Sequence, residues 1–130
     1  MAPNAGPRIT RLTRRPQFLA VAAAARKAVS TSVVVQARQR DDDAAGENAA
    51  GANEVRIGFT ATKKLGGAVV RNRARRRIKA AVQLVAPGHA KPGIDYVFIA
   101  RAAVLKRPWA KIVADVEQAI DRALTPAPRR

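Results

Sequence analysis

Apolar and polar residues alternate along residues 54–62, and this period of two is typical of a strand with one buried face. The positions predicted to face the interior are Val55, Ile57, Phe59 and Ala61. Residues 30–38 and 94–101 are short segments that are rich in β-branched or aromatic side chains. That composition predicts two further strands that are buried at their centres.

The hydrophobic period changes to that of a helix in residues 68–85. One stripe of this helix collects the apolar side chains Val70, Ala74, Ile78, Ala81, Val82 and Val85. Pro87 and Gly88 are helix breakers, so they predict that the helix ends just before them.

Two other helices are predicted, one on each side of this central region. Residues 16–27 are rich in Ala, and Pro16 suits a first helical turn. Near the other end of the chain, Pro108 can begin a helix. Its apolar face would contain Trp109, Ile112, Val113, Val116 and Ile120, with Asp115, Glu117 and Asp121 pointing outward.

The predicted order αβββαβα indicates a small α+β domain with a central, mostly antiparallel sheet and helices packed on it. A length of 130 residues agrees with one domain. We place that domain at residues 11–124, between flexible tails at residues 1–10 and 125–130. Residues 39–53 are acidic and contain no large apolar side chain, which predicts an exposed, mobile loop within the domain.

Composition excludes several kinds of functional site. The chain has no cysteine and a single histidine, His89, which argues against disulfides, thiolate zinc sites, cysteine nucleophiles and His-based triads. No apolar run is long enough to predict a membrane-spanning helix. Residues 13–25 superficially resemble a twin-arginine export signal, but their apolar stretch is short and mostly Ala, so an ordinary helix explains them better.

The formal net charge of +16 favours a polyanionic partner, with nucleic acid ahead of an anionic membrane. The positive charge is concentrated between Glu54 and Asp95, where no other acidic residue lies. On the predicted basic helix, Arg71, Arg75 and Lys79 are like charges at four-residue spacing, which costs a few tenths of a kcal/mol per pair. A solvated surface is the usual explanation of a mixed-charge helix and fits this one poorly. Phosphates neutralise such a surface through counterion release, and guanidinium groups hydrogen-bond phosphate oxygens.

The loop that precedes the basic helix contains Lys63, Lys64, Gly66 and Gly67. Glycines permit backbone conformations that are closed to other residues, and the helix N-terminus offers free N–H groups to a phosphate. A P-loop is excluded because GxxxxGK[ST] is absent and the lysines precede the glycines. A plain flexible turn would account for the glycines but not for the basic residues around them.

The stretch RIGFTATKKLGGAVVRNRARRRIKAAV, residues 56–82, resembles the bacterial ribonuclease P protein subunit. The family pattern is a strand followed by KKxGxAVxRNRxxR on a helix. The match includes the triplet Arg71-Asn72-Arg73 at the family spacing from Lys63-Lys64, and weaker similarity extends from Arg11-Leu12 through the final helix. The resemblance implies a left-handed βαβ crossover into the basic helix and a cleft between the first helix and the sheet.

The resemblance also implies a division of labour. In this family a catalytic RNA with bound Mg²⁺ hydrolyses the phosphodiester that frees the 5′ leader of precursor tRNA, while the protein binds the leader and supports the active conformation of the RNA. The chain is therefore expected to be a cytoplasmic accessory subunit of an endoribonuclease, without catalytic residues of its own. Its expected partners are ribonuclease P RNA and precursor tRNA, with Mg²⁺ bound chiefly by the RNA and with no organic cofactor, membrane or small-molecule substrate.

The resemblance assigns site residues by position. The RNA-contacting residues would be Lys63, Lys64, Arg71, Asn72, Arg73, Arg75 and Arg76, and Lys79 extends the same surface. Phe18 and Arg56 are expected in the leader cleft, where an aromatic ring can stack on single-stranded bases. Core packing is an equally good interpretation of Phe18. Ala22 and Gln36 replace common aromatics and Gly67 replaces a usual Asn, so we expect weaker leader stacking here.

Two other functions are weighed against this one. A non-enzymatic basic protein of the ribosomal or nucleoid type would use the same charge, but charge alone would not produce the ordered motif of residues 63–76. A helix bound to a membrane surface is disfavoured because the apolar stripe lacks the bulky aromatic side chains that enter lipid interfaces.

Overall fold

The computed structural model describes residues 8–24, 26–39 and 54–123. The strands are β1 (Arg8–Arg11), β2 (Arg26–Val29), β3 (Val33–Gln39), β4 (Glu54–Thr60) and β5 (Ile94–Ala100). The helices are α1 (Arg15–Ala23), α2 (Ala68–His89) and α3 (Trp109–Ala123), and short 3₁₀ turns occur at Lys63–Leu65 and Ala102–Leu105. Most of the predicted acidic loop and the tail at residues 125–130 lie outside the described residues.

The five strands form one sheet in the order β1-β4-β5-β3-β2. β4 pairs in parallel with both β1 and β5, whereas β3 pairs antiparallel with both β5 and β2. Strands β4 and β5 can be parallel because α2 returns the chain to the end of the sheet at which β4 begins. The predicted α+β class is confirmed, and the sheet is mixed rather than mostly antiparallel. The left-handed crossover stays a prediction.

The two faces of the sheet carry cores of different size. Tyr96 and Phe98 of β5 point into the main core, which α2 and α3 cover. Val97 and Ile99 alternate with them and therefore point to the other face, where they pack with residues of α1. The basic helix and the first helix consequently lie on opposite faces of the sheet.

The first part of the domain differs from its predicted boundaries. β1 begins at Arg8, inside the predicted tail, and its pairing with β4 explains why these residues are ordered. α1 ends at Ala23 rather than at residue 27, because Arg26 and Lys27 belong to β2 and pair with β3. Both errors have the same cause, since a strand of four residues is too short to show a hydrophobic period.

Helix α2 continues through Pro87 and Gly88 to His89, so the predicted end of this helix was wrong. Pro87 lacks the N–H group that would bond to the carbonyl of Gln83, but Gln83 is exposed and water can reach it. Beyond the proline, the N–H of Ala90 donates to the carbonyl of Ala86 at 2.8 Å, which completes the last turn.

Helix α3 is held to the sheet by a buried carboxylate. Asp115 was expected to point outward, but it is only 6% exposed. It accepts hydrogen bonds from Ser32 Oγ and from Arg107 Nε, the latter at 2.6 Å. Arg77 of α2 stabilises the segment before α3, because it donates hydrogen bonds to the main-chain carbonyls of Val104 and Arg107. Arg77 is therefore a structural member of the arginine run.

The start of α3 also differs from its prediction. Trp109 was placed on the apolar face, yet it is 45% exposed at the first position of the helix. Of the other predicted core positions, Ile112, Val116 and Ile120 are buried and Val113 is partly buried against the main core.

Replacing Asp115 with alanine should lower the free energy of unfolding by about 2–3 kcal/mol, because the Arg107 guanidinium and the Ser32 hydroxyl would lose a charged partner. Urea denaturation of the full chain measures this. Gln118→Ala, at an exposed position of the same helix, is the control and should stay within about 0.5 kcal/mol of the parent chain. Equal effects of the two substitutions would contradict the assignment.

A second prediction concerns pH. The His89 ring lies 2.9 Å from Asp121 and 3.0 Å from Glu117, and the hydrogen bond with Asp121 raises the pKa of His89 above its usual value. The resulting stabilisation is complete below the pKa that His89 has in the unfolded chain, about 6.5, and it is lost as pH rises through the higher pKa of His89 in the folded chain. The free energy of unfolding of the parent chain should therefore fall between about pH 6 and pH 9, and His89→Gln should make this fall smaller. Identical pH profiles of the two chains, measured by urea denaturation, would refute this.

Candidate nucleic-acid interface

The predicted RNA-contacting residues lie on α2 and on the turn before it. Lys63, Lys64, Asn72, Arg73 and Arg76 are exposed, and Arg71, Arg75 and Lys79 are partly buried. Since successive helix positions differ by about 100° in direction, they do not all share one face. Asn72, Arg75, Arg76 and Lys79 face the β1–β4 side of α2, whereas Arg73 lies on the outer surface.

The turn between β4 and α2 fixes where the basic helix begins. Gly66 has φ 136°, a left-handed conformation that favours glycine, and its N–H donates to the carbonyl of Lys63 at 3.1 Å. The carbonyl of Gly67 then accepts the first hydrogen bond of the helix, from the N–H of Arg71 at 2.9 Å. The exposed Lys63 and Lys64 therefore immediately precede the N-terminus of α2, whose first N–H groups also favour anions.

A groove runs between α2 and the β1–β4 edge of the sheet. Its wider part has a volume of about 540 Å³ and is lined by Arg11, Phe59, Val69, Asn72, Arg75, Arg76 and Lys79. A smaller space of about 260 Å³ shares Arg11, Phe59 and Lys79 and continues along α2 to Gln83. Among the described residues, no acidic side chain lines either part, so their contribution to the groove is cationic.

Two contacts hold cations of the groove in place. The Arg11 guanidinium lies 5.3 Å from the centroid of the Phe59 ring, in cation–π geometry, and Phe59 stacks on Phe98 with centroids 5.7 Å apart. On α2, Arg75 Nη2 donates to Asn72 Oδ1. Asn72 is therefore a neutral acceptor that orients a neighbouring arginine, a role that sequence alone did not suggest.

The groove cations have no carboxylate partner among residues 8–24, 26–39 and 54–123. The ion pairs in this part of the chain involve other bases, among them Arg38, Arg56, His89 and Arg107. In the part of the chain that the structure describes, Arg11, Arg75, Arg76 and Lys79 therefore lie around the same space without an acidic neighbour to offset their charges. Such an arrangement favours an external anion.

The expected leader cleft lies on the other face of the sheet. Phe18 is partly buried against Leu12, Val21 and Val97, so it contributes to the smaller core. Its ring also lies directly over Gly58 of β4, where a Cβ atom would overlap the ring. Core packing of Phe18 is thus observed, and the exposed remainder of the ring leaves stacking on RNA as a prediction.

Arg56, the second residue expected in the cleft, is 6% exposed. Its Nε and Nη2 donate to the two carboxylate oxygens of Asp95 at 2.9 and 2.7 Å, and this hydrogen bonding raises the pKa of the Arg56 guanidinium. The pair links β4 to β5 beneath α1. The Arg56 guanidinium is thus buried in a bidentate pair that has a structural role, and its contact with the leader stays a prediction.

Sequence reasoning missed two residues of the groove, Arg11 and Phe59, as binding residues. Phe59 was assigned to the core from its alternating pattern, and Arg11 was noted only as part of a family resemblance. Their positions depend on the parallel pairing of β1 with β4, in which Arg11 lies beside Ile57. That long-range pairing leaves no local signal in the sequence.

The described residues contain neither a metal-binding cluster nor a membrane-spanning helix. Within them, no group of three or more His, Cys, Asp or Glu side chains could hold a metal ion. None of the helices described is both long and apolar enough to cross a membrane.

Comparison with known proteins gives consistent results. The family model described as Ribonuclease P matches residues 7–124. The ribonuclease P protein component of Caulobacter vibrioides is 50% identical over 110 residues, which cover 85% of this chain and 68% of that protein. The corresponding protein of Paramagnetospirillum magneticum is 43% identical over 115 residues, which cover 88% and 83% of the two chains.

Solved structures agree on the fold. The RNase P protein of Staphylococcus aureus superposes with a TM-score of 0.67 at 21% identity, covering 88% of this chain and 94% of that one. The RNase P protein of Thermotoga maritima gives a TM-score of 0.66 at 21% identity, with 86% and 96% covered. The matched family model, the sequence identities and the shared fold together establish that this chain belongs to the ribonuclease P protein family.

Proposed function

We propose that this chain binds ribonuclease P RNA and the 5′ leader of precursor tRNA, and thereby promotes endonucleolytic removal of the leader. Membership of the family makes the chain a component of an endoribonuclease complex. The observation that carries the finer proposal is the groove beside α2, whose cations lie together without acidic partners in the described residues. This chemistry suits the phosphates of RNA.

In this proposal the catalytic centre lies in the RNA subunit, in the cytoplasm, and the protein acts by binding. Mg²⁺, held chiefly by RNA phosphates, would activate the attacking water and stabilise the leaving oxygen. The cations of α2 would reduce the repulsion between two RNA molecules that must approach each other. Because phosphate contacts release counterions, the contribution of the protein should be largest at low Mg²⁺ and low salt.

The two faces of the sheet would divide the work. The α1 face offers the partly exposed ring of Phe18 to the bases of a single-stranded leader, and the α2 face offers cations to an RNA backbone. Stacking is worth about 1–3 kcal/mol per base, and it depends little on the identity of the base. This arrangement would suit an enzyme whose substrates carry leaders of different sequence.

Cleavage of a precursor tRNA by a bacterial ribonuclease P RNA at limiting Mg²⁺, with and without this chain, tests the proposal. Stimulation is expected, and Arg71→Gln combined with Arg73→Gln should lower kcat/KM about tenfold or more, because charged hydrogen bonds to phosphate would be lost. Lys106→Gln with Lys111→Gln removes the same charge at exposed positions outside α2 and should have little effect. Binding to any RNA without stimulation of cleavage would favour a general basic protein instead.

Phe18→Leu tests the leader face separately. The substitution keeps an apolar side chain in the smaller core but removes the ring, so affinity for precursor tRNA should fall about five-fold or more while affinity for mature tRNA stays unchanged. Both affinities are measured with the complex of RNA and protein. Equal losses for precursor and mature tRNA would show that Phe18 acts only through packing.

A further inference from the structure

We propose that the groove between α2 and the β1–β4 edge binds the backbone of a single-stranded RNA segment, with Arg11 of β1 as a phosphate ligand. This inference rests on the proposed function because it takes RNA as the partner. It goes further by assigning a binding residue outside the basic helix and by defining the path of the RNA along the protein.

The orientation of Arg11 is the first step. The side chains of β1 alternate in direction, so Ile9 and Arg11 point toward α2 while Arg8 points to the opposite face. The Phe59 ring supports the guanidinium of Arg11, and Phe59 is itself supported by Phe98. A guanidinium held over a ring keeps its N–H groups at the edge of its plane, where they can donate two parallel hydrogen bonds to a phosphate.

The opposite wall of the groove supplies the remaining ligands. Arg75, Arg76 and Lys79 lie on the groove side of α2, and Arg75 is already oriented by Asn72. The conformational entropy that Arg75 and Arg11 would lose on binding is therefore partly lost before RNA arrives. Pre-oriented cations on two walls distinguish this groove from an ordinary basic surface, on which long side chains move independently.

The shape and length of the groove favour a single RNA strand. The lining residues extend from Val69 to Gln83, which corresponds to about 20 Å along the helix axis. Val69 is 82% exposed at one end and provides apolar surface for a ribose or a base. A cationic groove of this length with apolar surface at one end matches the surfaces that track single-stranded nucleic acid.

Affinity for a short fluorescent single-stranded RNA, measured by fluorescence anisotropy with the full chain, tests the role of Arg11. Arg11→Gln should weaken binding about tenfold, as expected for the loss of charged hydrogen bonds. It should also make the slope of log Kobs against log salt concentration less negative, by the amount that about one phosphate contact contributes. Arg8→Gln is the matched control, because it removes the same charge from the same strand on the opposite face, and it should change affinity less than about two-fold. Equal losses in the two variants would overturn the proposal.

Cross-linking locates the RNA independently. The chain has no cysteine, so Val69→Cys and Leu84→Cys each introduce a unique thiol for a photoreactive label. Both positions are exposed on α2, but only Val69 lines the groove. RNA should cross-link through position 69 and not through position 84. Pyrophosphate that supplies the same total phosphate concentration as the RNA should not abolish the cross-link. Equal cross-linking at both positions, or loss of the cross-link at position 69 when pyrophosphate is added, would contradict RNA binding in the groove.

These measurements separate the two proposals. If the parent chain fails to stimulate leader cleavage while Arg11→Gln still weakens RNA binding selectively, the groove proposal stands and the proposed function falls. If cleavage is stimulated but Arg11→Gln behaves like Arg8→Gln, the proposed function stands and the groove proposal falls.

Discussion

The packing of α2 against the sheet is the interaction on which the rest of the molecule depends. Ile78, Val82 and Val85 are almost completely buried in the main core. Each such side chain contributes about 1.5–3 kcal/mol, whereas a like-charge pair four residues apart costs about 0.2–0.5 kcal/mol. Burial therefore outweighs charge repulsion, and the helix forms despite its arginines. All of its cations are then confined to the surface that the sheet leaves uncovered.

Because side chains alternate between the two faces of a strand, the packing of α2 on one face of the sheet leaves a chemically different surface on the other face. In β4, Ile57 faces α2 and the main core, while Arg56 and Gly58 face α1. The buried pair of Arg56 with Asp95 occupies the α1 face, where a second cationic surface would otherwise form. Gly58 leaves room for the Phe18 ring. The α1 face thus combines a neutralised arginine with a supported aromatic ring, whereas the cations of the groove have no carboxylate partner among the described residues.

Sequence predicted the features that local patterns determine. The stripe of α2, the alternation of β4 and the dense apolar composition of β5 all appear where they were expected, and the motif of residues 63–76 identified the family. Long-range pairing decided the rest. β1 and β2 have four residues each and exist because β4 and β3 pair with them. Asp115 has an outward-facing pattern, but Arg107 and Ser32 come from elsewhere in the chain to bury it.

The same reasoning explains why the candidate site was predicted only in part. The cationic wall of the groove lies on one helix and can be recognised from sequence, whereas Arg11 reaches the site through a parallel pairing that spans more than forty residues. Arg56 shows the opposite case, since the family resemblance placed it in the leader cleft and the structure buries it in a bidentate pair with Asp95. Among the described residues, no carboxylate approaches the groove cations from a neighbouring strand, so their charges remain open to an external anion.

Stability and binding are coupled through those available charges. An anion in the groove offsets repulsion that exists only while α2 is folded and packed, so it binds the native state in preference to the unfolded chain. A ligand with this preference adds free energy of unfolding in proportion to the logarithm of its concentration relative to Kd. The crowding of Arg75, Arg76 and Lys79 beside Arg11 is thus a cost in the free protein, and in the proposed complex it would be a source of affinity for phosphate.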